Sequence, residues 1–597
     1  MPERMASAAD RGSRLQALAV IALAAAAALL VLSLGIAAPF EKDQETQSAQ
    51  WIEAVVARGQ WLLPRDDYGG IDRKPPLFYW LSAVVAELRG ARAGAGAARI
   101  DEADARIVPC VAGAILAVVA MRWCAAFAGE GAGWLALAFL LGTYGFASRA
   151  TVALTDMPLS LLLFAAWWCV YGLLEGTGGR GRAIGAGILL GLAILTKGPV
   201  AIALLGFAGL IYLLLAKKSP LAVVRRAWPW AILAIALAIA ALWYVPAFVA
   251  GGRLVVGIFL SENFGHFLPA AMGGTGEASR AVWYIAARML GGALPLSLLS
   301  AAVAIALWRG DGEARARRPL LFQLSLVLAV LIFFSIASAK RDDYILPAMP
   351  GLAILFAALF SPAAIARERE NSLSRPARDV TAALIAVACV AALAATFIVL
   401  HRPLLLYRTI ARMQSSDAAF MRLYVLGMHR MTLPFAVFTG AWIIGAATVF
   451  AGLRMRRELW TGAGLAIIAL GGSILFTGTL RPELAQARSE KTFAGEIRRR
   501  IGGAPLYVPW GHDYELSFYL GRGVPGLLDA DPAAMAASGP VYVVARPRQL
   551  ERLPSALVSR MEPMMMTTLI GGGGPPTLYL LRPEPVNSPV RASKPAR

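Results

Sequence analysis

Two acids stand where a long apolar stretch ends. In PFEKDQETQSAQW, Asp43 and Glu45 follow a run from Leu15 to Ala38 that has no charged side chain and is long enough to span a bilayer. Carboxylates at such a place suit proton abstraction from a hydroxyl, or a share in a divalent-cation site. Of the two, Asp43 is the expected acid, because a short carboxylate is held more rigidly where positioning matters. Other motifs put charge beside other apolar runs. DRKPPLFYW brings Asp72, Arg73, Lys74 and Tyr79; TDMPL brings Asp156; LTKGPV brings Lys197. SENFGHF adds Glu262 and His266, and SAKRDDYILPAMP adds Lys340, Arg341, Asp342, Asp343 and Tyr344. Lysines and arginines gathered from separate segments suit an anionic phosphate, Lys as a point charge and Arg as a fork.

Singly, each residue has an ordinary explanation. Lys197 at a helix end can snorkel to headgroups; Asp156 can cap a helix; His266 has no second ligand at metal-site spacing; Arg-Asp-Asp can be a solvated charge run. Aromatic residues such as Trp80, Trp243 and Trp283 can form an interfacial belt. As a set, acids and cations beside helix-breaking Lys-Pro-Pro and Lys-Gly-Pro describe a polar cavity at a membrane surface, where charge is costly and so tends to be functional.

The elements that position this set follow from hydropathy. Hydrophobic residues make up 58% of the chain and charged ones 16%, with a mean hydropathy of +0.62, which places the chain among polytopic α-helical membrane proteins. Apolar runs near 15–38, 106–127, 132–148, 156–175, 184–198, 199–216, 228–250, 281–307, 319–337, 344–361, 379–400, 432–453 and 460–478 give about thirteen spans. The first is too long for the apolar core of a signal peptide and reads as an uncleaved span.

The formal charge of +20 is spread in clusters that occupy every second loop, so it marks the cytoplasmic side and not a nucleic-acid partner. The acids and cations above then all fall on the outer face. The expected organisation is a membrane unit over 1–478, with an outer first loop at 39–105, an outer α/β or β-rich unit over 479–582, and a disordered tail at 583–597. Cys110, Cys124, Cys169 and Cys389 lie inside apolar runs without paired spacing, so no disulfide framework or cysteine metal site is expected.

In this order the motifs resemble the C-type (GT-C) membrane glycosyltransferases, above all the bacterial branch that contains the lipid A aminoarabinose transferase and is related to the protein O-mannosyltransferases. The resemblance covers roughly residues 15–480 and is carried by DQETQSAQWIEAVVARGQWLLP, RKPPLFYWL, TDMPLSLLL, LTKGPV and SAKRDDYILPAMP. It implies a GT-C fold with juxtamembrane helices in the first periplasmic loop and a small C-terminal α/β periplasmic domain, in a bacterial inner-membrane enzyme whose active site faces the periplasm. The implied reaction moves a sugar from a polyprenyl-phosphate donor to lipid A, lipopolysaccharide or another envelope acceptor, with inversion.

The resemblance further implies that Lys74, Arg73, Lys197, Lys340 and Arg341 hold the donor phosphate and that Asp43, Glu45 and Asp156 supply the catalytic acids. Tyr79, Glu262, His266, Asp342, Asp343 and Tyr344 would line the substrate pocket. The expected partners are the lipid donor, a lipid or glycan acceptor and the membrane, without nucleic acid, on a monomer. Two positions depart from the family pattern. Where the family has Asp-Glu, an ungapped count gives Gln44-Glu45, and where the aminoarabinose branch has a metal-linked Glu before the Lys-Pro-Pro lysine, this chain has Arg73. No metal is therefore expected, although a divalent cation is left open as a cofactor. A transporter of an anionic lipid is the reading from another class; it calls for inverted repeats and midplane charges, and neither is evident in the sequence.

Overall fold

The protein is described from a computed structural model over all residues except Met1, Lys42, 91–98, 266–279, 310–313, 362–373, 403–414, 530–539, 568–574 and 583–597. His266, the Asp43 side chain and the expected tail lie outside the described residues. The chain opens with α1 (Pro2–Leu32), then two short helices in the first loop, α2 (Asp43–Arg58) and α3 (Leu77–Leu88). The bundle continues through α4 (Glu102–Ala128), α5 (Glu130–Gly142), α6 (Tyr144–Ala150), α7 (Asp156–Leu174), α8 (Arg180–Lys197) and α9 (Val200–Leu215). After these come α10 (Pro220–Val224), α11 (Ala227–Phe264), α12 (Tyr284–Gly292), α13 (Ser300–Arg309), α14 (Ala314–Ile336) and α15 (Met349–Ala358). Helices Ser374–Leu400, Ser415–Arg430, Leu433–Arg454 and Glu458–Leu475 follow, and the shorter Arg481–Arg488 and Lys491–Ile501 lead to the C-terminal unit.

Eight described helices are long and apolar enough to cross a bilayer, or ten if each of two bent pairs counts as one. The sequence run at 132–148 is one such pair, α5 and α6, bent by 69°. The run at 344–361 is a 3₁₀ turn (Asp342–Ala348) leading into the ten-residue α15. The 16-residue α9 is only about 24 Å long. A hydropathy window sees uninterrupted apolarity in these places and cannot see the bends.

Because lipid is as apolar as a leucine side chain, helices in a membrane associate through close packing. A Cβ at Gly187 or Gly191 of α8 would lie 2.8 Å from Ile235 or Ile239 of α11, so these glycines let the two backbones meet. Deeper in the bundle, Trp167 of α7 stacks on Phe322 of α14 with ring centroids 3.7 Å apart. At one end of the bundle the basic loops gather: Glu175 pairs with Lys218 at 2.6 Å and Arg318 at 2.8 Å. The other end carries α2, α3 and the C-terminal unit.

That unit contains a four-stranded sheet of β1 (Leu506–Tyr507), β2 (Val541–Ala545), β3 (Met561–Met566) and β4 (Thr577–Leu581), in the order β1-β2-β4-β3. β1 and β2 are parallel and the other pairs antiparallel. The stretch DYELSFYL, part of a run with strand-like composition, is a helix (Tyr514–Leu520) whose N-terminus is capped by Asp513, as a short acceptor side chain at that position favours. This helix docks on the first loop. Phe518 meets Phe40 edge-on at 5.2 Å, Arg99 donates to the Phe518 carbonyl at 2.8 Å, and the Tyr68 hydroxyl accepts from Val524 N–H at 3.2 Å.

The first loop is fastened to the bundle by a buried ion pair. Glu45 of α2 and Arg106 of α4 are 0% and 1% exposed, with Arg106 Nε donating to Oε1 at 2.9 Å and Nη2 to Oε2 at 3.1 Å. Arg106 also donates to the carbonyls of Ile36 and Pro39, and Glu45 Oε1 accepts the Ala153 N–H at 2.9 Å. Burial alone would push the Glu45 carboxyl up; the Arg106 charge and hydrogen bond, with Arg481 behind them, outweigh it and hold it below its usual range. Glu45, expected as a catalytic acid, has both its oxygens engaged in this buried pair and is not among the residues that line the cavity between the first loop and the bundle.

Removing one partner of a buried pair leaves the other charge uncompensated, at about 3–5 kcal/mol. Glu45→Gln is therefore expected to lower the apparent unfolding midpoint in detergent more than the double change Glu45→Leu with Arg106→Met. Equal midpoints for wild type and Glu45→Gln would show that the pair does not hold the loop.

Candidate active site

The motifs converge on one cavity of about 570 Å³ between the first loop and the bundle. Three devices place its charges. Lys197 is the last residue of α8, and Gly198 behind it has φ +88° with its Cβ position 2.7 Å from Asn263 Oδ1, a place only glycine fills. Pro199 then starts α9, as the fixed φ of proline favours. Asp156 opens α7, where the helix N-terminus favours an acid. Lys74 follows a stiff turn in which Asp66 Oδ1 accepts Tyr68 N–H at 3.0 Å and Gly70 N–H at 2.7 Å.

Within the cavity, Lys197 forms a salt bridge with the buried Asp156 and lies 5.0 Å over the ring of Tyr344, a cation–π contact. Tyr344 in turn stacks on Phe334 at 4.3 Å. Arg341 donates to the Gln44 side-chain oxygen. Arg73, 67% exposed, reaches Glu262 at 3.7 Å. Burial, then the charges of Lys197 and Arg341, push the Lys74 ammonium below its ordinary value. Asp72 beside it is pushed well up, by burial and by the charge of Glu262. The lining thus carries Arg73, Lys74, Lys197 and Arg341 against Asp72, Asp156 and Glu262, while Trp243, Tyr244, Phe248, Phe259 and Phe333 contribute aromatic walls. Thr155 Oγ1 is buried there without a hydrogen-bond partner among the described residues.

Of the residues singled out from the sequence, the cavity brings together Arg73, Lys74, Tyr79, Asp156, Lys197, Glu262, Arg341 and Tyr344. Three others lie outside its lining. Lys340 points away and donates to the carbonyls of Ala337 at 2.6 Å and Arg280 at 3.0 Å. Asp343 holds Arg149 at 3.2 Å and Arg341 at 3.6 Å. Asp342 is bound to Arg288 and to Arg280 at 3.5 Å. All three are held in place by partners and lie outside the cavity lining, so a run of four adjacent charges contributes one side chain to the site.

Sequence reasoning missed Gln44 as a wall residue, and it missed Arg106 and Arg149. An arginine inside an apolar helix was the available signal, since such a charge needs a buried carboxylate. For a divalent cation the fit is poor. Among the described residues no three His, Cys, Asp or Glu side chains gather as a ligand set, and the Arg73 guanidinium lies against Glu262.

Comparison with known proteins gives the same picture. Residues 73–244 match the family model described as dolichyl-phosphate-mannose-protein mannosyltransferase. Among curated proteins, the chain is 29% identical over 334 residues to the undecaprenyl phosphate-alpha-4-amino-4-deoxy-L-arabinose arabinosyl transferase of Yersinia enterocolitica, covering 53% of this chain and 54% of that protein. The enzyme of the same name from Serratia proteamaculans is 29% identical over 332 residues, with the same coverage. The chain thus aligns with about half the length of the curated relatives it matches. The crystal structure of ArnT from Cupriavidus metallidurans in the apo state superposes with a TM-score of 0.70 at 22% identity, over 95% of this chain and 98% of that one. The same protein bound to undecaprenyl phosphate gives 0.69, over 94% and 98%. The resemblance read from the sequence therefore holds at the level these comparisons reach: residues 73–244 match the mannosyltransferase family model, and the chain as a whole has the fold of ArnT, a polytopic GT-C membrane fold.

Proposed function

We propose that this protein is an inverting glycosyltransferase that moves a sugar from an undecaprenyl-phosphate donor to lipid A, lipopolysaccharide or another envelope acceptor at the periplasmic face of the bacterial inner membrane. The observation that carries the reading is the convergence of Lys74, Lys197 and Arg341 on one cavity with aromatic walls at a single end of the bundle. The named activity of the curated relatives and the undecaprenyl phosphate in the related structure support it. Residues 1–478 would form the catalytic membrane unit, with about thirteen spans including the short and bent ones. Residues 479–582 would form a periplasmic domain seated on the first loop, and the enzyme would act as a monomer.

In this mechanism the acceptor oxygen attacks the anomeric carbon as the lipid phosphate leaves. Charge develops on that phosphate, and Lys74, Lys197 and Arg341 are positioned before the reaction to stabilise it. Before the donor arrives, Asp156 neutralises Lys197; afterwards it fixes the ammonium toward the phosphate. The lowered Lys74 responds to the same event, since an incoming anion offsets the repulsion of its two cationic neighbours. A protein acceptor is the second reading, favoured by the match of residues 73–244 to the protein mannosyltransferase model.

Transfer from a radiolabelled lipid-linked sugar pool, measured in membranes of a strain lacking the protein and complemented with variants, tests the reading. Lys197→Ala and Lys74→Ala should each lower kcat/KM by about 10²–10³-fold, the usual loss on removing one stabiliser of transition-state charge. Wild-type rates in both would dismiss the phosphate assignment, and lipid movement without a glycosidic product would favour a transporter. Asp156→Asn should weaken transfer by about tenfold or more through a misplaced Lys197. This loss should persist at saturating donor; full recovery there would mean that Asp156 serves binding alone. Mass spectrometry of lipid A, surface glycans and envelope proteins from the deletion strain identifies the acceptor.

A further inference from the structure

The transfer reading leaves one carboxylate without a task. Asp72 is 8% exposed and lines the cavity. Its backbone N–H donates to the Pro64 carbonyl at 3.2 Å, and its Oδ1 accepts the Lys74 N–H at 2.9 Å. Oδ2 is buried without a well-formed hydrogen bond among the described residues, and the Tyr79 phenol is the side-chain group that bonds to this carboxyl. The groups that face this carboxyl are Lys74 in the same loop, the Tyr79 phenol of α3 and Glu262 of α11, with Arg73 paired to Glu262. A buried carboxylate with so few donors is expensive to keep ionised, and because Asp72 stands in the cavity wall an acceptor hydroxyl entering there would bring it a further donor.

The other described acids near the cavity are already engaged. Glu45 is held by Arg106, Asp156 by Lys197, and Glu262 by Arg73. Gln44, in the wall beside Arg341, bears an amide that cannot accept a proton at any relevant pH. Asp72 and Glu262 also make this side of the cavity unfavourable to a second anion and favourable to a neutral hydroxyl.

We propose that Asp72 is the catalytic base of this enzyme and that the acceptor is a hydroxyl, not an already ionised phosphate. The inference rests on the transfer reading above. The acceptor O–H bond breaks and its proton passes to the Asp72 carboxylate. The freed oxygen bonds to the anomeric carbon on the face opposite the lipid phosphate. The anomeric C–O bond to that phosphate breaks, its electron pair stays on the phosphate oxygen, and Lys74, Lys197 and Arg341 receive the charge. The buried setting that raises the proton affinity of Asp72 makes it a better base than an exposed carboxylate. Such a base works only when deprotonated, so the rate should climb as pH rises through its raised pKa and level off above it.

Full-length Asp72→Asn and Asp72→Glu, each assayed by sugar transfer from the radiolabelled lipid pool between about pH 5 and 9, test this. Binding of undecaprenyl phosphate to the purified proteins, followed by thermal shift, reports folding and donor recognition separately. The expected result is a drop in kcat on the order of 10²-fold or more in Asp72→Asn, with the acid limb of the profile gone. Undecaprenyl phosphate binding should be preserved, and Asp72→Glu should recover part of the rate. Wild-type kcat and an intact acid limb in Asp72→Asn overturn the assignment while leaving the transfer reading standing. Loss of undecaprenyl phosphate binding together with transfer makes Asp72 structural and overturns it as well. A wild-type protein that binds undecaprenyl phosphate but transfers no sugar overturns the transfer reading, and this inference with it.

Discussion

The site depends on one buried ion pair. Taking Glu45 and Arg106 out of water costs several kcal/mol per ion, and only good geometry with further hydrogen bonds offsets it. Here the further bonds are the informative part, because each goes to backbone that carries a site residue nearby. Arg106 binds carbonyls at Ile36 and Pro39, where the chain leaves α1 for the first loop. Glu45 binds Ala153 N–H, three residues before Asp156. Gln44 precedes Glu45 directly. Arg481, beyond the last long helix, adds bonds to Glu41 at 2.9 Å and to the Ser148 carbonyl at 2.8 Å. The position of Asp156 relative to the first loop is thus set by two arginines outside the cavity.

Positioning of this kind explains why the chemistry is drawn from so many segments. Three of the four cavity cations come from separate places in the chain: Lys74 just before α3, Lys197 closing α8, and Arg341 opening the 3₁₀ turn. A long helix brings its side chains to a membrane surface only at its ends, so a charged site there must be assembled from several helices. Breaks fix the ends. Pro75 and Pro76 after Lys74, and Gly198 and Pro199 after Lys197, stop or redirect the chain within two residues of the charge. The rotation of a terminal side chain is otherwise free, and the salt bridge from Asp156 removes that freedom for Lys197.

The polytopic helical class was legible because hydrophobic burial in a membrane writes itself into long runs. The cavity was legible in outline for a related reason: charges are so unfavourable beside those runs that Lys74, Asp156, Lys197, Glu262 and Arg341 stood out. What could not be read was which charge pairs with which. Glu45 looked like an exposed acid because its partner lies 61 residues away in α4. Lys340 looked equivalent to its neighbour Arg341, yet the turn sends one into backbone carbonyls and the other toward Gln44. Span counting faltered at α5–α6 and at the turn before α15, since a bend of 69° leaves the composition unchanged. Within the α/β or β-rich unit expected over 479–582, composition did not say which stretches are strands; DYELSFYL is helical, with its N-terminus capped by Asp513.

The exchange at position 44 has an electrostatic consequence of its own. An acid there would give the cavity as many carboxylates as cations before any ligand entered. With Gln44, Arg341 keeps a hydrogen-bond partner but loses a balancing charge, and the lining holds four cations against three carboxylates. The raised proton affinity of Asp72 tilts the balance further toward the positive while that residue is protonated. A phosphodiester donor brings one negative charge, and the phosphate it leaves behind carries nearly two once the glycosidic bond has broken. In the proposed reaction the electrostatic advantage would therefore grow as the bond breaks. Under that proposal, a surplus of fixed positive charge better matched by the leaving group than by the donor would lower the barrier instead of only tightening binding. On this view a neutral residue at position 44 is compatible with catalysis, provided that proton removal is handled elsewhere in the cavity.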